Sequence, residues 1–178
     1  MKKIQVKGKD AVIRRAIKSD AQELLDYLDI IGGESDFLTF GAEGLGITLE
    51  EEEAFIEGNM NQDNGLFIVV VLEGNIIGNL NFAGGVKQRT RHTGEFGVSV
   101  LKEFWGQGIG RELITYLIDW AKDTGIVTKI NLKVRSDHEK GMKLYKSLGF
   151  IEEGIQTRDF LIEGKYYDSL IMGLELYN

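Results

Sequence analysis

The chain has 178 residues, and its 43% hydrophobic and 28% charged residues are ordinary for a soluble globular protein. It contains no cysteine and only two histidines, which excludes disulfides, cysteine nucleophiles, thiolate metal sites and histidine-rich zinc sites. The net charge of −7 disfavours a nucleic-acid binder, because such proteins present a basic face. An acidic protein attracts cations, which favours a polyamine, an aminosugar or a basic peptide as partner.

No segment of the sequence indicates a membrane or an export signal. The first ten residues are basic, but no apolar segment follows them. The longest apolar run, at 66–72, is too short to span a membrane. We therefore expect a cytoplasmic protein with no membrane partner.

The N-terminal half alternates strands and helices. The predicted elements are a strand at 12–16, a helix starting at Asp20, a helix from Thr48 through Ile56, and a strand hairpin at 66–72 and 76–82. Both helix starts have capping-box spacing, Asp20 with Glu23 and Thr48 with Glu51. The segment 32–46 between the helices is glycine-rich and irregular.

The C-terminal half continues the alternation. Its predicted elements are a strand at 94–100, a glycine-rich loop at 104–110, a helix to about residue 121, a strand at 130–134, a short helix at 139–148 ended by Gly149, and closing strands at 157–163 and 166–176. Strands joined by both hairpins and crossovers indicate a mixed sheet. We predict an α/β (α+β) fold, with a mixed, largely antiparallel central sheet of about seven strands flanked by about four helices. One domain is expected at 1–178, with its core at about 11–176.

The glycine loop is the strongest local feature. Gly106, Gly108 and Gly110 allow a ligand to approach the backbone, and the helix that follows directs its first free N–H groups at the same place. This arrangement favours a phosphate site, to which Arg111 adds a cation. The alternative is a glycine-rich connection that binds nothing.

Two familiar nucleotide motifs do not fit this loop. The chain has no GxxxxGK followed by Ser or Thr, which a Walker A loop requires. A dinucleotide fingerprint requires glycine where the chain has Arg111 or Leu113. The strand after the helix also ends in Arg135, where an NAD site needs an acid.

The residues resemble a known family, the GNAT-superfamily N-acetyltransferases. VSVLKEFWGQGIGRELI at 98–114 is similar to the family's coenzyme A motif, and NLKVRSDHEKGMKLYKSLGF at 131–150 to its second motif, which ends in LYxxxGF. YYDSLIMGLEL, at 166–176, resembles the last strand. Two motifs in the right order are strongly specific for this family, whereas the G-x-G sequence alone is not. The resemblance covers nearly the whole chain and implies a GNAT-like fold.

The resemblance implies acetyl-CoA as cosubstrate, with no metal. The backbone of Val98 and Val100 would pair with the pantetheine arm as an added strand, and an N–H of that strand would hold the thioester oxyanion. The pyrophosphate would be held by a run of main-chain amides, those of Gly106, Gln107, Gly108, Ile109, Gly110 and Arg111. His138 could also bond CoA, at a position where the family often has asparagine.

Two catalytic residues follow from the resemblance. Tyr145 matches the tyrosine that often protonates the departing thiolate, although it could simply pack between Met142 and Leu148. Glu95 lies in the strand before the loop, where many relatives carry a carboxylate, and is the candidate base. Strict alternation puts Glu95 on the face opposite Val98 and Val100, so an ordinary polar strand residue is the alternative.

The chain departs from the family pattern at three positions. Trp105 stands where the family usually has Arg or Gln, which leaves one pyrophosphate contact in doubt. Lys102 replaces a common proline, which affects only the turn. His138 replaces the frequent asparagine at the start of the short helix and could equally be a solvated residue near the helix cap.

The expected activity is transfer of an acetyl group from acetyl-CoA to a primary amine by direct attack. The acceptor is a small amine, an aminosugar or a protein N-terminus, between which the sequence does not choose. Two alternatives are an acyltransferase that uses a longer acyl-CoA and a CoA-binding regulatory module without turnover. The sequence also leaves a homodimer open.

Overall fold

The computed structural model describes residues 1–177, which form one eight-stranded sheet and four α-helices. In chain order the elements are β1 (Lys2–Val6), β2 (Lys9–Arg15), α1 (Ala21–Glu34), α2 (Leu49–Met60), β3 (Gly65–Leu72), β4 (Asn75–Gly84), β5 (Thr93–Val100), α3 (Ile109–Thr124), β6 (Lys129–Arg135), α4 (Glu139–Ser147), β7 (Ile151–Ile162) and β8 (Lys165–Glu175). None of the helices within these residues is both long and apolar enough to cross a membrane.

The strand order in the sheet is β1-β2-β3-β4-β5-β6-β8-β7. Every neighbouring pair is antiparallel except β5 with β6, which run parallel. The prediction of a mixed, largely antiparallel sheet with about four helices is confirmed. The strand count is eight instead of about seven, because Lys2–Val6 forms an additional edge strand against β2.

Helices cover both faces of the sheet. α1 and α2 pack on one face over a buried cluster that includes Leu24, Tyr27 and Ile56. α3 packs on the other face, with Ile109, Leu113, Ile114, Leu117 and Ala121 buried against the sheet as their helical spacing predicts. α4 adds half-buried side chains to this second cluster. Side chains of alternate residues in each strand therefore face different pairs of helices.

The helix ends show which local predictions hold. The Thr48 hydroxyl accepts from the Glu51 N–H, and the Glu51 carboxylate accepts from the Thr48 N–H, so this capping box is confirmed. The Asp20 cap is wrong: its buried carboxylate makes no cap bond to α1. It accepts instead from the Arg14 guanidinium and the Ile17 N–H. An ion pair available in the folded chain thus overrides the local capping pattern.

Gly149 ends α4 as predicted. Its φ is +93°, which a glycine adopts without strain. Its N–H donates to the Lys146 carbonyl, and the Phe150 N–H donates to the Tyr145 carbonyl. These two bonds form a Schellman motif. The motif fixes the last turn of α4, which carries Tyr145.

Candidate active site

A gap in the sheet is the central feature of the site. β5 and β6 pair at only three positions, the last of which joins Glu95 to Asn131. Both strands continue beyond this point, β5 to Val100 and β6 to Arg135, without further pairing to each other. The two strands therefore separate and leave an open slot between their C-terminal ends.

The backbone of β5 presents hydrogen-bonding groups to this gap. The Leu101 N–H donates to the Ile77 carbonyl at 3.0 Å, and the Gly85 N–H donates to the Thr93 carbonyl at 2.9 Å. In an antiparallel pair these bonds recur at every second residue, so the odd-numbered residues of β5 bond to β4. The N–H and C=O groups of Val98 and Val100 consequently point away from β4 and into the gap.

The glycine-rich loop lies at the end of β5. Gly106 and Gly108 have φ values of +78° and +80°, in the left-handed region that favours glycine. A Cβ at either position would meet no atom within 4 Å, so the space beside the loop is open. Gln107, between them, is exposed.

The first turn of α3 faces the same space. Gly108 is the N-cap of the helix, so the N–H groups of Ile109, Gly110 and Arg111 have no partner within the helix. The helix dipole adds positive potential at this end. The Arg111 side chain is exposed and donates to the Ser147 hydroxyl at 2.7 Å. The open loop and the free N–H groups of the helix end could together hold an anion.

Tyr145 lies beside the start of the gap on the α3–α4 face. Its ring packs edge-on against Phe96 and Phe150, with centroids 6.1 Å away in each case. The side chain is half-buried, and its hydroxyl has no hydrogen-bond partner among residues 1–177. Burial raises the pKa of Tyr145 to about 12, so the phenol is protonated at neutral pH. The group is an available proton donor.

Glu95 lies on the opposite face of the sheet. It is exposed, and it immediately precedes Phe96, whose side chain points to the α3–α4 face. Glu95 is also the last residue of β5 that pairs with β6. The carboxylate and the Tyr145 phenol therefore flank the start of the gap from its two faces.

His138 lies at the start of α4, as its N-cap residue, without a side-chain cap bond. Its ring stacks on Phe37 with centroids 4.0 Å apart, and a Cβ at Gly141 would meet it at 2.7 Å. Burial lowers its pKa, so the ring is favoured in the neutral form. The stack joins α4 to the irregular segment after α1.

Two groups near the gap were not predicted from the sequence. The buried Arg135 donates to the Asp36 carbonyl at 2.8 Å and pairs with Asp137 at 2.6 Å, which holds the segment after α1 against the end of β6. The Tyr27 hydroxyl bonds the Ser99 hydroxyl at 2.9 Å, which fixes α1 against β5. The Arg135–Asp36 and Tyr27–Ser99 bonds join residues far apart in the chain, so no local pattern indicates them.

Within residues 1–177 no three His, Asp or Glu side chains gather closely enough to hold a metal ion.

Comparison with known proteins identifies the family. Residues 36–150, well over half of the chain, match the acetyltransferase (GNAT) family. The chain belongs to this family. The predicted resemblance to GNAT N-acetyltransferases and the predicted GNAT-like fold are both confirmed.

Solved structures of GNAT proteins share the fold over nearly the whole chain. The acetyltransferase of the GNAT family from Streptococcus pneumoniae is 33% identical, with a TM-score of 0.90 over 93% of this chain and 99% of that one. A phosphinothricin acetyltransferase from Sinorhizobium meliloti, in complex with acetyl-CoA, has a TM-score of 0.80 over 93% of this chain and 88% of that one. It is 18% identical, so its similarity concerns the fold alone.

Curated relatives of this GNAT chain match it over shorter segments. The L-amino acid N-acetyltransferase AaaT of Escherichia coli is 28% identical over 59% of this chain and 65% of its own length. The spermidine N(1)-acetyltransferase of Vibrio cholerae is 35% identical over 42% of this chain and 43% of its own length. Each match thus spans less than two thirds of the relative.

Proposed function

We propose that this GNAT protein transfers an acetyl group from acetyl-CoA to a primary amine in the cytoplasm. The observation that carries the proposal is that Glu95 and Tyr145 lie on opposite faces of the sheet near the point where β5 and β6 stop pairing. A group lying in the gap would be accessible to a proton acceptor on one side and a proton donor on the other. The relatives named for N-acetylation of amines support the same reaction class.

The residues around the gap fit acetyl-CoA. The pantetheine arm carries amide groups that can pair with the backbone of Val98 and Val100 as an added strand would. The pyrophosphate suits the amides from Gly106 to Arg111, because that part of the loop is open and lies at a helix N-terminus. We also propose that His138 contacts the cosubstrate; its stack on Phe37 leaves the ring edge as the part that can bond.

The proposed reaction needs two proton transfers. The amine nitrogen attacks the thioester carbonyl, and the C–N bond forms as the C–S bond breaks. Glu95 takes the proton that the amine loses, directly or through water. Tyr145 gives its proton to the departing thiolate sulfur. The oxygen that becomes negative during the attack is held by a main-chain N–H of β5, for which Val98 is positioned.

We propose that the acceptor is a small-molecule or peptide amine. The relatives named for L-amino acids and spermidine support a small amine, and the net charge of −7 supports a cationic one. Aminosugars and peptides with a free N-terminus are the further classes to include in a test.

Thiol release from acetyl-CoA tests the proposal directly. The protein is incubated with acetyl-CoA and one amine from each class, and release above hydrolysis in the absence of amine counts as turnover. Calorimetry with CoA measures binding separately. Binding of CoA without amine-dependent thiol release contradicts the proposed acetyltransferase activity and favours a regulatory module. Faster thiol release from a longer acyl-CoA than from acetyl-CoA contradicts the proposal that acetyl is the transferred group.

A further inference from the structure

Trp105 forms an unexpected link between the two parts of the proposed acetyl-CoA site. The residue lies in the glycine-rich loop and is 45% exposed. Its indole N–H nevertheless donates to the Val100 carbonyl at 2.6 Å. The bond therefore joins the loop proposed for the pyrophosphate to the strand proposed for the pantetheine arm.

The Val100 carbonyl is available for this bond because of its place in the sheet. It points into the gap, where β6 no longer pairs with β5. Without the indole it would lack any partner among residues 1–177. A carbonyl oxygen has two lone pairs, so the indole can bond to it and leave one acceptor position for a ligand amide.

Residues 105–108 make few other hydrogen bonds, although the flanking Phe104 and Ile109 pack against the core. The main-chain bonds of Phe104 and Trp105 lie within the short turn after β5 and do not reach β6 or α4. Gly106 and Gly108 carry no side chain, and a Cβ at either would have nothing within 4 Å. Among the described residues, the indole makes the one side-chain hydrogen bond between the loop at 105–108 and the rest of the protein.

We infer that Trp105 is a positioning residue, whose indole N–H holds the glycine-rich loop at a fixed place relative to the backbone of Val98 and Val100. The inference rests on the proposed function, because it assigns the two held parts to two parts of acetyl-CoA. A ligand that contacts both parts binds more tightly when the distance between them is fixed before binding. A ligand that contacts only β5 gains nothing from the link.

This difference between ligands provides the kinetic test. Trp105→Phe removes the indole N–H and keeps an aromatic ring. We expect kcat/KM for acetyl-CoA to fall about 3–10-fold, the effect of one hydrogen bond, with kcat at saturation within about 2-fold of wild type. S-acetylpantetheine lacks the pyrophosphate, and its kcat/KM should stay within about 2-fold. Trp120→Phe is the matched control: that ring packs against Phe82 and is far from the loop, so neither thioester should be affected.

Hydrogen exchange tests the link without any ligand. Amide exchange in peptides covering 105–111 should be faster in Trp105→Phe than in wild type, and unchanged in Trp120→Phe. Unchanged exchange, or equal loss with both thioesters, overturns the inference. A gain in kcat/KM for both thioesters also overturns it, because the indole would then compete with the pantetheine arm for the Val100 carbonyl. A wild-type protein that neither binds nor uses acetyl-CoA overturns the proposed function as well, whereas normal wild-type activity with a silent Trp105→Phe overturns the inference alone.

Discussion

The two ends of α3 provide a matched pair for testing the phosphate site. Gly108 precedes the helix with φ +80°, and Gly125 follows it with φ +64°. Both are in the left-handed region, and a Cβ at either position would meet no atom within 4 Å. Gly108→Ala and Gly125→Ala therefore impose the same kind of backbone strain, about 1–2 kcal/mol. Only Gly108 lies beside the amides proposed to hold the pyrophosphate.

The expected stability losses follow from this strain. For a chain of this length, 1 kcal/mol corresponds to about 2–4 °C in Tm, so each variant should melt about 2–8 °C below wild type. The affinities should differ. The methyl group of Gly108→Ala occupies the space that a phosphate must enter, and we expect at least a 10-fold rise in the Kd for CoA, or about 1.4 kcal/mol. Gly125→Ala should bind CoA as wild type does.

Calorimetry at about 20 °C, where all three proteins are folded, measures these affinities, and differential scanning calorimetry measures the Tm values. Wild-type CoA affinity in both variants would refute the phosphate assignment. Equal weakening in both would show that strain in α3, and not occlusion at its N-terminus, reduces binding. Repeating the titration after exhaustive chelation tests the expectation that binding needs no metal, which loss of binding would contradict.

Further predictions concern three single side chains. Tyr145→Phe should keep CoA affinity but lower the single-turnover rate about 10²–10⁴-fold, and a wild-type rate would exclude Tyr145 as the acid. Burial raises the pKa of Tyr145 to about 12 in the folded protein, compared with about 10 in the unfolded chain. The free energy of unfolding of the wild type should therefore decrease between about pH 10 and about pH 12, and the Phe variant should not show this decrease. Glu95→Gln should lower turnover about 10²-fold at neutral pH with little change in Tm, and unchanged turnover would favour water as the base. Asp20→Ala should cost about 2 kcal/mol in urea unfolding, whereas Asp63→Ala, which removes an equally short but exposed bridge to arginine, should cost under about 1 kcal/mol.

The Asp20 prediction also has a pH dependence. Burial raises the pKa of the Asp20 carboxyl, but hydrogen bonds from Arg14 and the Ile17 N–H outweigh burial and leave the pKa below its usual value. A carboxyl with a lowered pKa stabilises the fold above the pKa of the unfolded chain, about 4, and loses that contribution as the pH falls. The difference between wild type and Asp20→Ala should therefore shrink below about pH 4. A constant difference would contradict the ion pair as its source.

Strand and helix positions could be predicted where burial produces a pattern. The buried strand predicted at 66–72 occurs as Gly65–Leu72, and the helix after the glycine loop buries the predicted residues. Edge strands are harder to predict from the sequence. The sequence predicts no strand at Lys2–Val6, because an edge strand has one solvated side and needs few apolar residues. The start of β7 at Ile151 was missed for the same reason, since its first eight residues are exposed.

The candidate site likewise has parts that local sequence patterns predict and parts that they do not. The glycine loop and the alternation of Val98 and Val100 are local patterns, and the main-chain groups of these two valines face the gap. The position of Glu95 across the sheet from Tyr145 depends on the strand order, which no local pattern gives. The bond from Trp105 to Val100 spans only five residues, but it requires the loop to turn back on the strand. The sequence showed Trp105 only as an unusual residue.

The gap between β5 and β6 makes β5 an edge strand in the middle of the sheet. Exposed edges invite pairing with other chains, and proteins usually protect them with charges, bulges or short strands. Here the edge lies within the sheet, because β6 continues on the far side of the gap without pairing to it. The amides of Val98 and Val100 should accordingly exchange with solvent at rates typical of a sheet border, although four strands lie on one side of them and three on the other.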